Sequence, residues 1–290
     1  MRDFAFHRPR SVAEAVALLR GKESARLLAG GQSLLPMMKL GLAEPEDLVS
    51  LALAQEDAGL RQIRAEAGSG GGAGWLTIGA MATHDEVSAS AEVRRLIPGL
   101  AELAGGIGDA QVRNRGTLGG SLAHADPAAD YPAAVLALGA TIETDRRQLA
   151  ADDFFIGLFS TALAADEIIT AVRFPAPERC AYAKFPHRAS KFAVVGVMVA
   201  RFAPSRPQGA AAAGTVRVAV TGAGQKAFRL PALEAALAAR FTPEAAGPRS
   251  LDGALDGALP AALRSDSEAS AEYRAHLVTV MAKRAIQACL

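Results

Sequence analysis

Gly106-Ile107-Gly108-Asp109-Ala110-Gln111-Val112-Arg113-Asn114-Arg115-Gly116-Thr117-Leu118-Gly119-Gly120-Ser121 is a glycine-spaced run that ends in a small hydroxyl residue. Far upstream, Ala29-Gly30-Gly31-Gln32-Ser33-Leu34-Leu35-Pro36 carries the same chemistry. Glycine has no Cβ, tolerates positive φ and lets backbone N–H groups approach an anion, so each segment can donate to a pyrophosphate without fixed positive charge. Serine and threonine add short hydroxyl donors. Taken alone, residues 29–33 read first as an ordinary tight turn; the pairing of two such segments points to one phosphate-bearing ligand. Neither segment fits the dinucleotide fingerprint G-x-G-x-x-G or a P-loop ending in Gly-Lys-Ser/Thr.

Outward from these segments, the 290 residues exceed one ordinary core and predict two or three modules. Half of the residues are apolar and 21% are charged, a globular composition. With 31 Lys and Arg against 30 Asp and Glu there is no positive excess to drive binding to nucleic acid or an anionic membrane. Arg113 and Arg115 read as loop-fixing groups. No run approaches the roughly 18 to 20 apolar residues of a membrane span, and the start lacks the apolar core of a secretion signal, so a cytoplasmic location is the default expectation. Cys180 and Cys289 stand far apart with no C-x-x-C or Cys/His cluster, which predicts buried or incidental thiols and no metal site.

Ser11-Val12-Ala13-Glu14 has capping-box spacing and predicts a helix over 12–20, stopped by Gly21. Residues 25–29 and 47–51 read as strands, and 77–80 as a strand leading to a helix at Thr83-His84-Asp85-Glu86. The glycine cluster at 68–74 reads as a hairpin tip. Residues 92–105 are helical in pattern, interrupted or restarted at Pro98. The apolar runs 133–138, 141–144 and 167–174 have strand length, the first fitting a helix equally. Pro175-Ala176-Pro177 marks a module boundary. Beyond it, 192–202 and 215–221 predict strands, 209–214 a hairpin connection, and 231–241 and 271–288 helices.

With these residues in place, the chain resembles the FAD-binding medium subunits of molybdenum hydroxylases, the family of the aerobic carbon monoxide dehydrogenase medium chain. The resemblance spans nearly the whole chain. It rests on the opening Phe6-His7-Arg8-Pro9, on residues 29–36, on Thr77-Ile78-Gly79-Ala80-Met81-Ala82-Thr83-His84, and on the block from Val112 through Ser121 to His124-Ala125-Asp126-Pro127-Ala128-Ala129-Asp130. It implies an α+β, PCMH-type fold: two FAD-binding subdomains over 1–55 and 56–175, and a C-terminal α+β domain over 176–290. It also implies partners, a molybdopterin-binding large subunit and a [2Fe–2S] small subunit, with electrons leaving FAD for an external acceptor.

By the same resemblance, Ala29, Gly30, Gly31, Gln32 and Ser33 would wrap the FAD pyrophosphate, joined by Thr117, Gly119, Gly120 and Ser121, and Leu34, Ile107 and Leu118 would also belong to the cofactor site. Asp130 would accept from FAD hydroxyls, its alternative role being a helix cap before Tyr131-Pro132. Ile169 would pack near the flavin or its ribityl chain, although a strand isoleucine is ordinarily core. Lys184 would place charge at the pyrimidine end of the ring, its alternative being a solvated strand-edge lysine, and Tyr182 would flank the ring. His84 and His124 have no identifiable nucleophile partner and receive no proton-transfer role. Lys191 stands where relatives commonly carry an acidic residue. Two other functions remain open at this point: a self-contained flavin oxidase or reductase, and an assembly module that has lost FAD.

Overall fold

The computed structural model describes residues 2–54, 59–68, 74–203, 214–239, 241, 259–260 and 262–290. Its strands form three main sheets and a small hairpin. The first sheet has order β1-β3-β2, with β1 (Ala5–His7) and β2 (Ala25–Leu28) both parallel to the central β3 (Asp47–Ser50). Parallel neighbours require a crossover, and α1 (Val12–Leu19) supplies it. Ser11 caps that helix by accepting from the Glu14 amide, while the Glu14 carboxylate accepts from Arg10 N at 2.7 Å, one residue earlier than an ideal capping box. Gly21 then takes φ +72°, a left-handed turn that ends the helix cheaply only without a Cβ. The short α2 (Leu34–Lys39) follows the first glycine segment.

The second sheet is antiparallel, β4-β5-β10-β6-β7, built from β4 (Ile63–Glu66), β5 (Trp75–Gly79), β6 (Thr141–Thr144), β7 (Gln148–Ala150) and β10 (Ile169–Pro175). Helices α3 (His84–Ala89), α4 (Ala91–Leu96) and α5 (Pro98–Gly105) pack on it. Pro98 occupies the first turn of α5, where its missing N–H costs nothing, so it restarts the helix after a break at Ile97. Leu76, Ile78, Leu100, Leu103, Phe154 and Phe174 meet in this core. After α6 (Ala110–Arg113), the second glycine segment runs directly into α7 (Leu118–His124). The 133–138 run is helical, lying largely in α8 (Tyr131–Ala137), with Pro132 at its start and every residue buried.

Between β7 and β10 in the chain come α9 (Ala151–Phe154) and the two-stranded hairpin of β8 (Phe155–Gly157) and β9 (Ser160–Thr161). The third sheet orders β11 (Arg179–Pro186), β12 (Ala193–Phe202), β13 (Thr215–Thr221) and β14 (Phe228–Arg229) as an antiparallel meander. Successive strand side chains point to opposite faces. Val195, Val197 and Val199 pack with Leu277, Met281 and Ile286 of the terminal helix α11 (Ala271–Cys289), and α10 (Pro231–Ala239) covers the same face. Met198, Ala200 and Ala219 turn the other way, into the core around α8. Burial on both faces explains why β12 reads as an unbroken apolar run rather than an alternating one.

Cys180 and Cys289 are buried free thiols, pushed up by burial to about 11 and about 12. Among the described residues no helix is long and apolar enough to cross a membrane. The hairpin expected over 68–74 and the connection over 209–214 fall almost wholly outside the described residues.

Candidate functional site

The two glycine segments, some 80 residues apart in sequence, touch. A Cβ on Gly30 would lie 2.0 Å from the Arg115 carbonyl oxygen and 2.8 Å from Gly116 Cα. Only a residue without a side chain lets these backbones approach so closely. Gly31 takes φ +73° and turns the chain from β2 into α2. Both segments line one cavity of about 970 Å³, at the upper end of the roughly 300–1,000 Å³ typical of small-molecule sites.

The segments present different chemistry to that cavity. Among the described residues, the amides of Gly30, Gly31, Gln32, Ser33 and Leu34 donate to no backbone carbonyl, and Ser33 makes no side-chain cap to α2. These residues line the cavity, Gln32 exposed and the others half-buried, and a run of successive uncommitted amides can form an anion-binding concavity. In the second segment the amides from Leu118 to Ser121 are already used. Leu118 N donates to Ala82 O, Gly119 N to Ala80 O at 2.8 Å, Gly120 N to Thr117 Oγ1 and Ser121 N to Thr117 O. Thr117 caps α7, so this part of the segment expected as a loop is the first turn of a helix laid against the end of β5. A Cβ on Gly119 would lie 2.6 Å from Ala80 Cβ. That glycine therefore serves helix-to-strand packing, and the segment offers the cavity close backbone and the Thr117 and Ser121 hydroxyls.

Of the other residues expected at a cofactor, Ala29, Ile107, Asp130 and Ile169 line the same cavity. Leu118, Tyr182 and Lys184 do not: Leu118 is wholly buried beneath it, and the other two lie behind Asp130. Asp130 precedes α8 but makes no side-chain cap, which removes the capping alternative. Its Oδ1 accepts from the Tyr182 hydroxyl at 2.6 Å and from Lys184 Nζ at 2.9 Å. Burial raises the Asp130 carboxyl, opposed first by the Lys184 charge and then by the Tyr182 hydroxyl. Lys184 is no solvated edge lysine, since its side chain is only 11% exposed. The 126–130 loop is held to the third sheet by Thr221, whose hydroxyl reaches Pro127 O and Ala129 O. Arg113 fixes the 107–108 turn by donating to Ile107 O and Gly108 O.

Several lining residues carried no usable sequence signal. Lys191 adopts φ +63° and Phe159 φ +49°, the latter half exposed at the β8–β9 tip with its ring 5.2 Å from that of His124. Bulky residues are rare in this left-handed region, and no composition rule anticipates them. His84 also lines the cavity, against Gly116, where a Cβ would lie 2.4 Å from its Nε2. Burial, and then the Arg113 charge, press its pKa down to about 4. The folded state thus keeps His84 neutral where the unfolded chain protonates it, so stability falls as pH drops from about 6.5 to about 4 and this group adds no further loss below that. A His84→Leu variant is expected to show a flatter loss of melting temperature across that window. Parallel pH profiles of the two proteins would count against the assignment.

Comparison with known proteins agrees with this geometry. Residues 2–177 match the FAD binding domain in molybdopterin dehydrogenase, and residues 180–289 the CO dehydrogenase flavoprotein C-terminal domain. The chain is 38% identical to the nicotine 6-hydroxylase medium subunit of Paenarthrobacter nicotinovorans, over 96% of this chain and 94% of that one. It is 36% identical to the carbon monoxide dehydrogenase medium chain of Hydrogenophaga pseudoflava, over 98% and 96%. A chain in a solved structure of carbon monoxide dehydrogenase from that organism, lacking the Mo-pyranopterin moiety, superposes with a TM-score of 0.85 at 37% identity, covering 99% of this chain and 97% of that one. Paired glycine segments around one cavity, and family matches running nearly from end to end, place this chain in the family of FAD-binding medium subunits of molybdenum hydroxylases.

Proposed function

We propose that FAD lies in the cavity between the two glycine segments, and that the chain relays electrons from [2Fe–2S] clusters of a small subunit to an external acceptor. A molybdopterin-binding large subunit would oxidise the substrate. The observation that carries this reading is the run of uncommitted amides from Gly30 to Leu34 in a segment that lines a cavity of about 970 Å³. Those amides bind the pyrophosphate, with Ala29 and the Ser33, Thr117 and Ser121 hydroxyls beside them. Gly119, Gly120 and the buried Leu118 set how closely the second wall approaches. Asp130, with both side-chain donors on Oδ1, offers Oδ2 to a ligand hydroxyl. Ile107 and Ile169 give the flavin an apolar seat and exclude water from it. FAD, when bound, supplies redox chemistry that none of these side chains has. The modules 1–55, 56–175 and 176–290 share the work, the first bringing the amides, the second the opposing wall and the third the groups behind Asp130.

Nicotine 6-hydroxylase and carbon monoxide dehydrogenase, named by the relatives, set the panel for a test of the relay. The assembled complex is stripped of flavin and offered nicotine, carbon monoxide, other N-heterocycles and aldehydes anaerobically. A substrate that still bleaches the iron–sulfur absorbance but no longer reduces an added dye, with dye reduction restored by FAD, is the expected result. Full dye reduction without flavin, or reduction of the isolated flavin-loaded chain by one of these compounds, would overturn the relay.

A further inference from the structure

Thr144-Asp145-Arg146-Arg147, the end of β6 and the turn into β7, closes on residues 162–168, a segment that brings Leu163, Glu167 and Ile168 to the cavity wall just ahead of Ile169. Asp145 N donates to Ile168 O at 3.0 Å, and Ile168 N donates back to Asp145 Oδ1 at 2.8 Å. Arg147 meets Glu167 side-on, Nε to Oε1 at 2.8 Å and a terminal nitrogen to Oε2 at 2.7 Å, and the same terminal nitrogen reaches Ala162 O. Glu167 also accepts from the Thr144 hydroxyl at 2.8 Å and the Ala164 amide at 2.9 Å, and its side chain is wholly covered. These partners, Arg147 foremost, hold its carboxyl down to about 2. The strand ladder is broken at the same place. Ile169 pairs with Thr144 and Ala171 with Glu143, so Thr170 is an extra residue on β10 where that strand enters the wall. The side-chain clamp supplies there the constraint that the ladder lacks.

We propose that Arg147 is a positioning residue for the cofactor site: by clamping the covered Glu167 carboxylate it sets the depth of the 163–169 wall, and with it the fit of the dinucleotide. The inference rests on the reading that FAD occupies this cavity and deepens it, by giving a side chain outside the cavity lining a part in binding.

The full chain, freed of flavin, is titrated with FAD by flavin fluorescence at a temperature where circular dichroism shows each variant folded. Arg147→Met, which leaves a covered carboxylate without its counter-charge, is expected to weaken binding about tenfold or more. Arg147→Lys should recover part of the loss, because an ammonium makes no two-pronged contact. Adding Glu167→Gln to Arg147→Met should return affinity to within about threefold of the parent, since the amide keeps Thr144 and Ala164 as partners and carries no charge. Arg146→Ala breaks the pair that the same turn makes with Asp166, a residue outside the cavity lining, and should stay within about twofold of the parent. A lowered melting temperature with unchanged affinity in Arg147→Met, or equal losses of affinity in Arg146→Ala and Arg147→Met, overturns the proposal. Should Arg147→Met fail to fold, Arg147→Lys decides, a loss of about threefold or more supporting the proposal and parent affinity overturning it. Gly30→Ala separates the two levels: if it loses FAD while Arg147→Met keeps parent affinity, only the clamping role fails; if it binds FAD normally, the cavity reading fails and this inference with it.

Discussion

Gly30→Ala is expected to weaken FAD binding about 100-fold or more, equivalent to roughly 2.7 kcal/mol. The added methyl would sit 2.0 Å from the Arg115 carbonyl oxygen and 2.6 Å from its carbon. Both are backbone atoms with no rotamer to turn away, so the two glycine segments must separate. Overpacking of this kind costs about 1–3 kcal/mol of stability, and the opened gap misplaces the amides that meet the pyrophosphate. Gly41→Ala is the control. Gly41 has φ +71° with open space where its Cβ would go, so alanine there adds backbone strain of about 1 kcal/mol and leaves the flavin in place. Fluorescence titration of both variants, beside their denaturant midpoints, checks the pair. Equal flavin affinity in the two would remove the close approach of the segments from any account of binding.

Asp130→Ala is expected to destabilise the chain by about 3–5 kcal/mol, a large share of the roughly 5–15 kcal/mol that holds a domain folded. The carboxylate is 3% exposed, and its loss leaves the Lys184 ammonium buried without its counter-charge and the Tyr182 hydroxyl without its acceptor. Asp130→Asn retains an acceptor and should lose about half as much. Guanidinium unfolding of the flavin-free proteins measures this directly, provided the m-value is unchanged. A loss below about 1 kcal/mol for the alanine variant would mean that water or a rearranged lysine replaces the carboxylate at little cost.

Much of this architecture was legible in the sequence because local signals and burial agree there. Ser11, Gly21 and Pro98 each mark a helix end by their own stereochemistry, and each end lies within a residue or two of that mark. The paired glycine segments did announce one cavity. What they did not announce is a division of labour. Gly119-Gly120 has poor intrinsic helix propensity, yet it lies in the first turn of α7, because the small residues let α7 lie against Ala80, a tertiary gain that outweighs propensity. The amides from Leu118 to Ser121 are consequently occupied, whereas those from Gly30 to Leu34 stay uncommitted. Residues 133–138 looked equally like strand and helix because burial on every side erases periodicity. Tyr182 and Lys184, expected at the flavin, meet Asp130 and are not among the residues lining the cavity, a distinction of depth that spacing along a strand cannot encode. The left-handed Phe159 and Lys191 are residue types with no preference for that conformation, so nothing in their identity marks them.

The cavity wall draws on residues from Arg26 to Phe192. During synthesis its first face therefore waits, unroofed, while well over a hundred further residues emerge. Closing loops of that length is slow relative to helix and hairpin formation, so flavin capture belongs among the last events of maturation. Once captured, the dinucleotide binds only the finished form and draws the folding equilibrium toward it by mass action. A cell short of riboflavin should accordingly accumulate less of this polypeptide, and not merely an inactive stock of it.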